Sequence, residues 1–388
     1  MRRGGTVTMA MSSQTDAQAL MDLARDRSRG GRARLYQTLS DLFIGHDGNL
    51  TDRERTLITG IVDTLTTMVD ADVRQGLVRK LMARTDGPVE LYQMLARDTI
   101  DVARPILRDS GVLQDADLVG IIRHLGNDHA AAIALRSFLS EVVTDALIAT
   151  GDPDVIVQVL SNDNAALSPS GRTYLANEAQ RVPAYQRPLL RRRDAAPGTV
   201  LTVFWAAPSA LRRHILETVA VDDIAEGLAD GAADTLPMDT GPVSRPVLDA
   251  AATVIAPLKQ TGQLTSQALM DFVRAGRVPP FIAGLARYCD LPMSLCQRAC
   301  QDATGEPLAV ICKSFDLTRN DFASLFLMLR KASRGREPLS PRALNEILTF
   351  YDGLKRDRMA AIARYWAHNL PPPVTVGDPV PSIAAPQR

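Results

Sequence analysis

All four cysteines of the chain, Cys289, Cys296, Cys300 and Cys312, fall in one short segment. Thiols grouped in this way could ligate a soft metal or serve as a redox sensor. Cys296 and Cys300 stand one helical turn apart, and Cys289 ends the preceding helix before the Leu291-Pro292 turn, so three sulfurs could converge. The spacing matches no established zinc or iron-sulfur pattern, however, and contains no Cys-x-x-Cys. The expectation is reduced thiols that pack as small core hydrophobes and hold no metal, with Cys289, Cys296 and Cys300 as the candidate ligands of a metal- or redox-responsive regulator.

Other candidate chemistry is sparser. His214 and Glu217 stand at i, i+3 and could present two ligands on one helical face, but one such pair does not make a metal centre. Asp128-His129 reads as a helix start, with Asp as the cap. No phosphate-binding glycine loop, nucleophile elbow, zinc-protease motif or dinucleotide fingerprint occurs, so the sequence predicts neither enzyme chemistry nor a cofactor. The strongest surface signal is basic. Arg187, Arg191, Arg192 and Arg193 close one helix, and Arg212, Arg213 and His214 lie on the next hairpin. If equivalent positions of adjacent repeats align, these residues form an anion-binding strip. Arginines at helix ends that favour the dipole and stay solvated would look the same.

Composition narrows the class. The 388 residues carry 44 Lys+Arg against 44 Asp+Glu, with 46% hydrophobic and 23% charged residues, the profile of an ordinary soluble protein of two or three globular units. Charge balance disfavours a dedicated nucleic-acid or anionic-membrane binder, although it leaves room for a local patch. Arg2 and Arg3 are followed by Gly, Thr and Ser where a secretion signal needs a continuous apolar stretch, and no apolar run approaches the length of a membrane span, so a cytoplasmic location is expected. Basic charge is almost all arginine, since Lys80, Lys259, Lys313, Lys331 and Lys355 are the only lysines, but the arginines are spread along the whole chain.

The elements that must position these residues read as short amphipathic helices. Thr51-Asp52-Arg53-Glu54 has capping-box spacing, and Leu57, Ile61, Leu65 and Met68 then recur on one face. Leu118, Ile121, Ile122 and Leu125 repeat the pattern, as do Phe322, Leu325, Phe326 and Leu329 behind a cap at Thr318 with Asp321. The one β-leaning stretch, 199–204, is too short and isolated for a sheet and is predicted helical. Punctuation is tight: Leu125-Gly126-Asn127-Asp128 and Gly151-Asp152-Pro153 place a helix-ending Gly directly before a cap, and Ser168-Pro169 and Ser340-Pro341 start further helices. Connections this short make a stack of antiparallel hairpins. Leu107, Leu135, Leu160 and Leu190 end successive apolar stripes, which predicts an irregular repeat.

These readings predict an all-α chain, an irregular HEAT-like α-solenoid of helical hairpins followed by a C-terminal helical domain. The expected boundaries are a disordered N-terminus at 1–13, an N-terminal helical cap at 14–88, the repeat array at 89–218, an acidic linker at 219–244, the C-terminal helical domain at 245–369 and a proline-rich disordered tail at 370–388. The linker expectation rests on Asp222, Asp223, Glu226, Asp230, Asp234 and Asp239 in a stretch with no Lys or Arg.

Val112-Leu113-x-Asp115-x-Asp117-Leu118, Asp128-His129-x-x-Ala132-Ile133-Ala134-x-Arg136, Leu139-Ser140-x-x-Val143-Thr144-Asp145-Ala146-Leu147, and Phe204-Trp205 ahead of Leu211-Arg212-x-x-Ile215-Leu216 together resemble an uncharacterised bacterial family, domain of unknown function 2336, of HEAT-like or leucine-rich-variant-like repeats. The likeness extends over roughly 90–330. It implies the helical-repeat fold and supplies no catalytic residues. The expected function is a non-catalytic adaptor or scaffold for a protein partner. The alternative is a nucleic-acid-binding or HEAT-like DNA-repair protein using the basic strip, which would need an aromatic platform from Trp205 or Trp366.

Overall fold

A computed structural model describes residues 20–46, 50–84, 87–219, 245–332 and 340–369. The described residues are helical throughout, with one isolated parallel bridge between Leu139 and Ala165 and no strand. The disordered segment expected at 1–13, the acidic linker beyond Val219 and the proline-rich tail lie outside them.

Local signals act as the sequence reading expects. Thr51 and Glu54 form a complete capping box at the head of the Asp52–Thr66 helix. Gly151 takes φ +69, a left-handed conformation that costs a glycine nothing, and hands over to Asp152, whose carboxylate accepts from the backbone N–H groups of Asp154 and Val155. Residues 197–203 form a helix behind Pro197. Gly126 differs. It is extended at φ −75 and is itself the N-cap of the Asn127–Ala134 helix, while Leu125 ends the helix before it.

The chain divides into two compact units, the first ending at Gly171 and the second starting at Arg172. In the first, the Ala71–Met82, Ile100–Asp109, Asn127–Ala134 and Pro153–Ser161 helices form a row in which each packs on the next, and Asp115–His124 packs beside Glu141–Ile148. Helices that meet their second neighbour along the chain give repeat-like packing. The register of the repeat is set by the helix ends. The C-caps are Ser110, Leu135, Asn162 and Arg192, and the residue three before each, Leu107, Ala132, Val159 and Leu189, is buried. Leu135 therefore does not stand in register with Leu107, and it is exposed.

Polar side chains tie each repeat to its neighbour. Arg136 donates to the Leu107 and Ser110 carbonyls, both at 2.6 Å, and Asn162 donates to the Ala134 and Arg136 carbonyls at 3.2 and 2.7 Å. These carbonyls are left over at helix ends, where no intrahelical donor remains. His129 Nε2 donates to the Asp98 carbonyl at 2.8 Å, Gln93 to Asp117 at 2.8 Å and Asn127 to Asp152 at 2.6 Å. Below them Arg74 and Asp98 form an ion pair at 2.7 Å.

The second unit holds the helices from Pro183–Arg191 to Arg356–His368. Val278–Cys289 packs on Arg245–Gln260, Ser266–Arg274 and Met293–Gln301, and Glu306–Ser314 packs on Arg356–His368 and Pro341–Gly353. Phe322 stacks on Tyr351 with ring centroids 4.4 Å apart. Gly305 takes φ +79 against the Phe326 ring, which leaves no room for a Cβ. The division at Gly171 falls well before the break that composition suggests near 218. Its cause is physical: Phe204, Trp205 and Arg212 make their contacts with residues 302–306 and Trp366, so the helices before 219 share a core with those after 245.

Candidate interaction surface

The seven residues of the expected basic strip separate. Arg187, Arg191, Arg193 and His214 are exposed. Arg192 is buried, and its Nε and Nη2 donate to the two Asp194 carboxylate oxygens at 2.8 and 2.9 Å. Burial alone would raise the Asp194 carboxyl, but the Arg192 hydrogen bonds and charge hold it below its ordinary value. Arg213 lies over the Phe350 ring at 5.6 Å and donates to the Glu346 carbonyl.

Arg212 is a structural hub rather than a surface group. It shares the core-facing side of the Ser209–Thr218 helix with Ile215 and Leu216. Its Nε donates to the Phe204 carbonyl at 2.9 Å, and Nη2 donates to the Trp205 carbonyl at 3.1 Å and Asp302 Oδ2 at 3.0 Å. Nη1 reaches Thr304 Oγ1 at 2.9 Å, Asp302 Oδ1 at 3.2 Å and Glu306 Oε2 at 3.3 Å. A planar fork with five N–H donors can serve so many acceptors; an ammonium group cannot. Because Arg192 and Arg212 are both consumed internally, these seven residues do not make one continuous ridge.

Aromatic neighbours complete this core. Trp366 lies 4.9 Å from both Phe204 and Trp205, centroid to centroid, and Arg298 sits 4.6 Å over Trp205. Burial pulls the Arg298 guanidinium down to about 10, against the opposing pull of Asp302 and with a further push from Arg212. Both indoles are buried, so neither offers a platform on which a nucleic-acid base could stack.

The four cysteines lie near enough for their thiols to act on one another electrostatically, Cys312 included. None of the four forms a disulfide; Cys296, Cys300 and Cys312 are buried. Burial first, and the neighbouring thiols second, push Cys296 and Cys312 well above the ordinary thiol value, and burial raises Cys289 as well. Among the described residues no three His, Cys, Asp or Glu side chains are placed to hold a metal ion. His214 and Glu217 are both exposed. Neutral, enclosed thiols are poor nucleophiles. N-ethylmaleimide at neutral pH should therefore leave Cys296 and Cys312 unmodified in the native protein and label all four cysteines in guanidinium, as read by peptide mass spectrometry. Rapid native labelling of either would contradict the buried placement.

The surface that sequence reasoning missed lies in the first unit. Leu135, Phe138 and Val142 are all exposed, Phe138 to 67%. They occupy the short connection between the Asn127–Ala134 and Glu141–Ile148 helices and the first turn of the latter. This connection is held on three sides. Arg136 is bonded to the preceding repeat and Asn162 bonds to it from the following one, while Leu139 exchanges backbone hydrogen bonds with Asn164 and Ala166 at 3.4 and 2.9 Å. An apolar knuckle is thus presented to solvent on a fixed backbone, the arrangement of a preorganised contact surface. A signal for it exists in the sequence. Phe138-Leu139 and Val142-Val143 are apolar doublets four residues apart at the head of the Glu141–Ile148 helix; Leu139 and Val143 go in, and Phe138 and Val142 stay out.

No helix among the described residues is long and apolar enough to cross a membrane. No curated protein and no solved structure matches the chain. Residues 102–364 match the family model described as "Uncharacterised protein conserved in bacteria (DUF2336)". That span runs from the Ile100–Asp109 helix of the first unit to the last helix of the second and covers more than half of the sequence, and the chain belongs to this bacterial family.

Proposed function

We propose that this chain is an irregular HEAT-like α-solenoid with a C-terminal helical domain, acting in the bacterial cytoplasm as a non-catalytic adaptor or scaffold that holds a protein partner. The observation that carries the reading is the Leu135, Phe138 and Val142 knuckle, three large apolar side chains left in water on a backbone that neighbouring repeats lock in place. Exposed apolar groups of this kind are costly unless they are covered part of the time, and a rigid aromatic anchor loses little entropy on binding. The repeat-like row supports it by offering an extended surface.

The test is affinity purification from the native cell, comparing wild type with the double variant Phe138→Asp, Val142→Asp. The expected result is a protein recovered in stoichiometric amount with wild type and lost with the variant, whose circular dichroism is unchanged. Equal recovery by both would overturn the knuckle as the binding surface. Salt-dependent retention on DNA, lost in Arg187→Glu, Arg191→Glu, Arg193→Glu, would favour the nucleic-acid alternative instead.

A further inference from the structure

We propose that the first unit binds a free amino acid, as its zwitterion, in the cleft between the Asp52–Thr66 and Val89–Leu95 helices. The cleft has a volume of about 640 Å³, within the range of small-molecule sites, and it lies ahead of residue 102, where the family match begins. Thr59, Asp63 and Thr66, at i, i+4 and i+7, line it from one face of the first helix; Glu90 lines it from the second, and Arg97 and Asp98 from the turn that follows. Most of these charges are already matched. Glu90 faces Arg55 at 3.3 Å and Asp98 faces Arg74 at 2.7 Å, and Arg74 also donates to the Val69 carbonyl at 2.6 Å. One acid and one base remain. Asp63 and Arg97 are both exposed, and neither has a partner among the described residues. A ligand with one ammonium and one carboxylate satisfies both, whereas a plain amine or a plain anion satisfies only one.

The hydroxyls favour the ammonium as well. Thr66 and Thr67 donate to the Val62 and Thr64 carbonyls at 2.8 and 2.9 Å, and Thr99 donates to Asp98 at 3.3 Å, so all three have only lone pairs left to offer the cleft. With the Asp63 carboxylate they suit an ammonium, which brings only donors, and Arg97 takes the carboxylate on its planar fork. Thr59 supplies a separate observation. Of the threonines of the Asp52–Thr66 helix, Thr56, Thr64 and Thr66 turn their hydroxyls back onto the carbonyls of Asp52, Gly60 and Val62. The Thr59 hydroxyl is enclosed and has no hydrogen-bond partner among the described residues. Thr59 is half-buried as a residue and lines the cleft, so rotation about χ1 brings this unmet hydroxyl to a ligand.

Isothermal titration calorimetry of the full chain with each standard amino acid in turn tests this. At least one should bind saturably below about 10 mM, and its N-acetyl derivative and its decarboxylated amine should each bind about tenfold more weakly or not at all. Asp63→Asn and Arg97→Gln should each weaken the binding of that amino acid about tenfold with unchanged circular dichroism. Thr59→Val should weaken it too, with a melt no lower than that of wild type, because the hydroxyl it removes has no partner in the free protein. Failure of every amino acid to bind would overturn the proposal, as would an affinity untouched by Asp63→Asn or by Arg97→Gln, or an N-acetyl derivative that binds as tightly as the free amino acid.

Discussion

Replacing Arg212 with methionine should lower the midpoint of the tryptophan-fluorescence melt by about 10 °C or more. Both tryptophans of the chain, Trp205 and Trp366, lie in the second unit, so their emission reports that unit. The variant leaves the buried Glu306 carboxylate and the half-buried Asp302 carboxylate without their shared cation and strips the Phe204 and Trp205 carbonyls of a donor. Breaking a buried pair by removing one partner costs about 3–5 kcal/mol, because the remaining charge stays buried and unpaired. A melt within about 2 °C of wild type would show the cluster to be dispensable.

The pH dependence gives the same variant a second readout. Burial pushes the Asp302 carboxyl up, but the hydrogen bond and charge of Arg212, with help from Thr304, outweigh it and hold the group below its ordinary value. A carboxyl lowered by folding adds stability above its unfolded-state pKa, and that contribution is lost as pH falls through the lowered folded value. Without Arg212, burial acts unopposed and the carboxyl rises. The stability deficit of Arg212→Met relative to wild type should therefore be largest near neutral pH and shrink as pH falls and the carboxyl takes up its proton, and adding Asp302→Asn with Glu306→Gln should restore part of the stability at neutral pH.

Trp366→Ala should cost about 3–5 kcal/mol, through lost burial, an unfilled cavity and lost ring contacts. Trp366 is completely buried on the Arg356–His368 helix, and its rings face Phe204 and Trp205, more than 160 residues earlier in the chain. Its effect tests the division of the molecule. If residues 172–219 share a core with the C-terminal helices, the Trp205 emission of the variant should shift to the red in the folded state, because one wall of its enclosure is gone. Trp205 emission identical to that of Trp366→Phe would argue that the two stretches fold as separate bodies.

What the sequence revealed depended on the range of the interaction responsible. Caps were legible because the residues that satisfy a helix start lie within four positions, as at Thr51 with Glu54 and at Asp152. The helical state of 199–203 was legible for another reason, the lack of any second strand for it to pair with. The side each helix buries was not. Leu57, Ile61 and Met68 form as good a stripe as Val62, Leu65 and Val69, and only the packed neighbours decide between them. Arginine is the clearest case. Arg191 and Arg212 are the same letter near a helix end, but Asp302 and Glu306, about ninety residues away, pull one inside and leave the other in water.

The cross-repeat hydrogen bonds also constrain how such a chain can change length. Each joins a donor to an acceptor one helix pair away, as Asn162 does with Arg136 and Arg136 with Ser110. Inserting one residue within a helix turns everything after it by about 100° and uncouples donor from acceptor. Duplicating a whole helix pair instead copies a donor and an acceptor together, and both find mates. Relatives that keep this arrangement should accordingly differ in size by complete helix pairs, with single insertions confined to connections that carry none of these bonds.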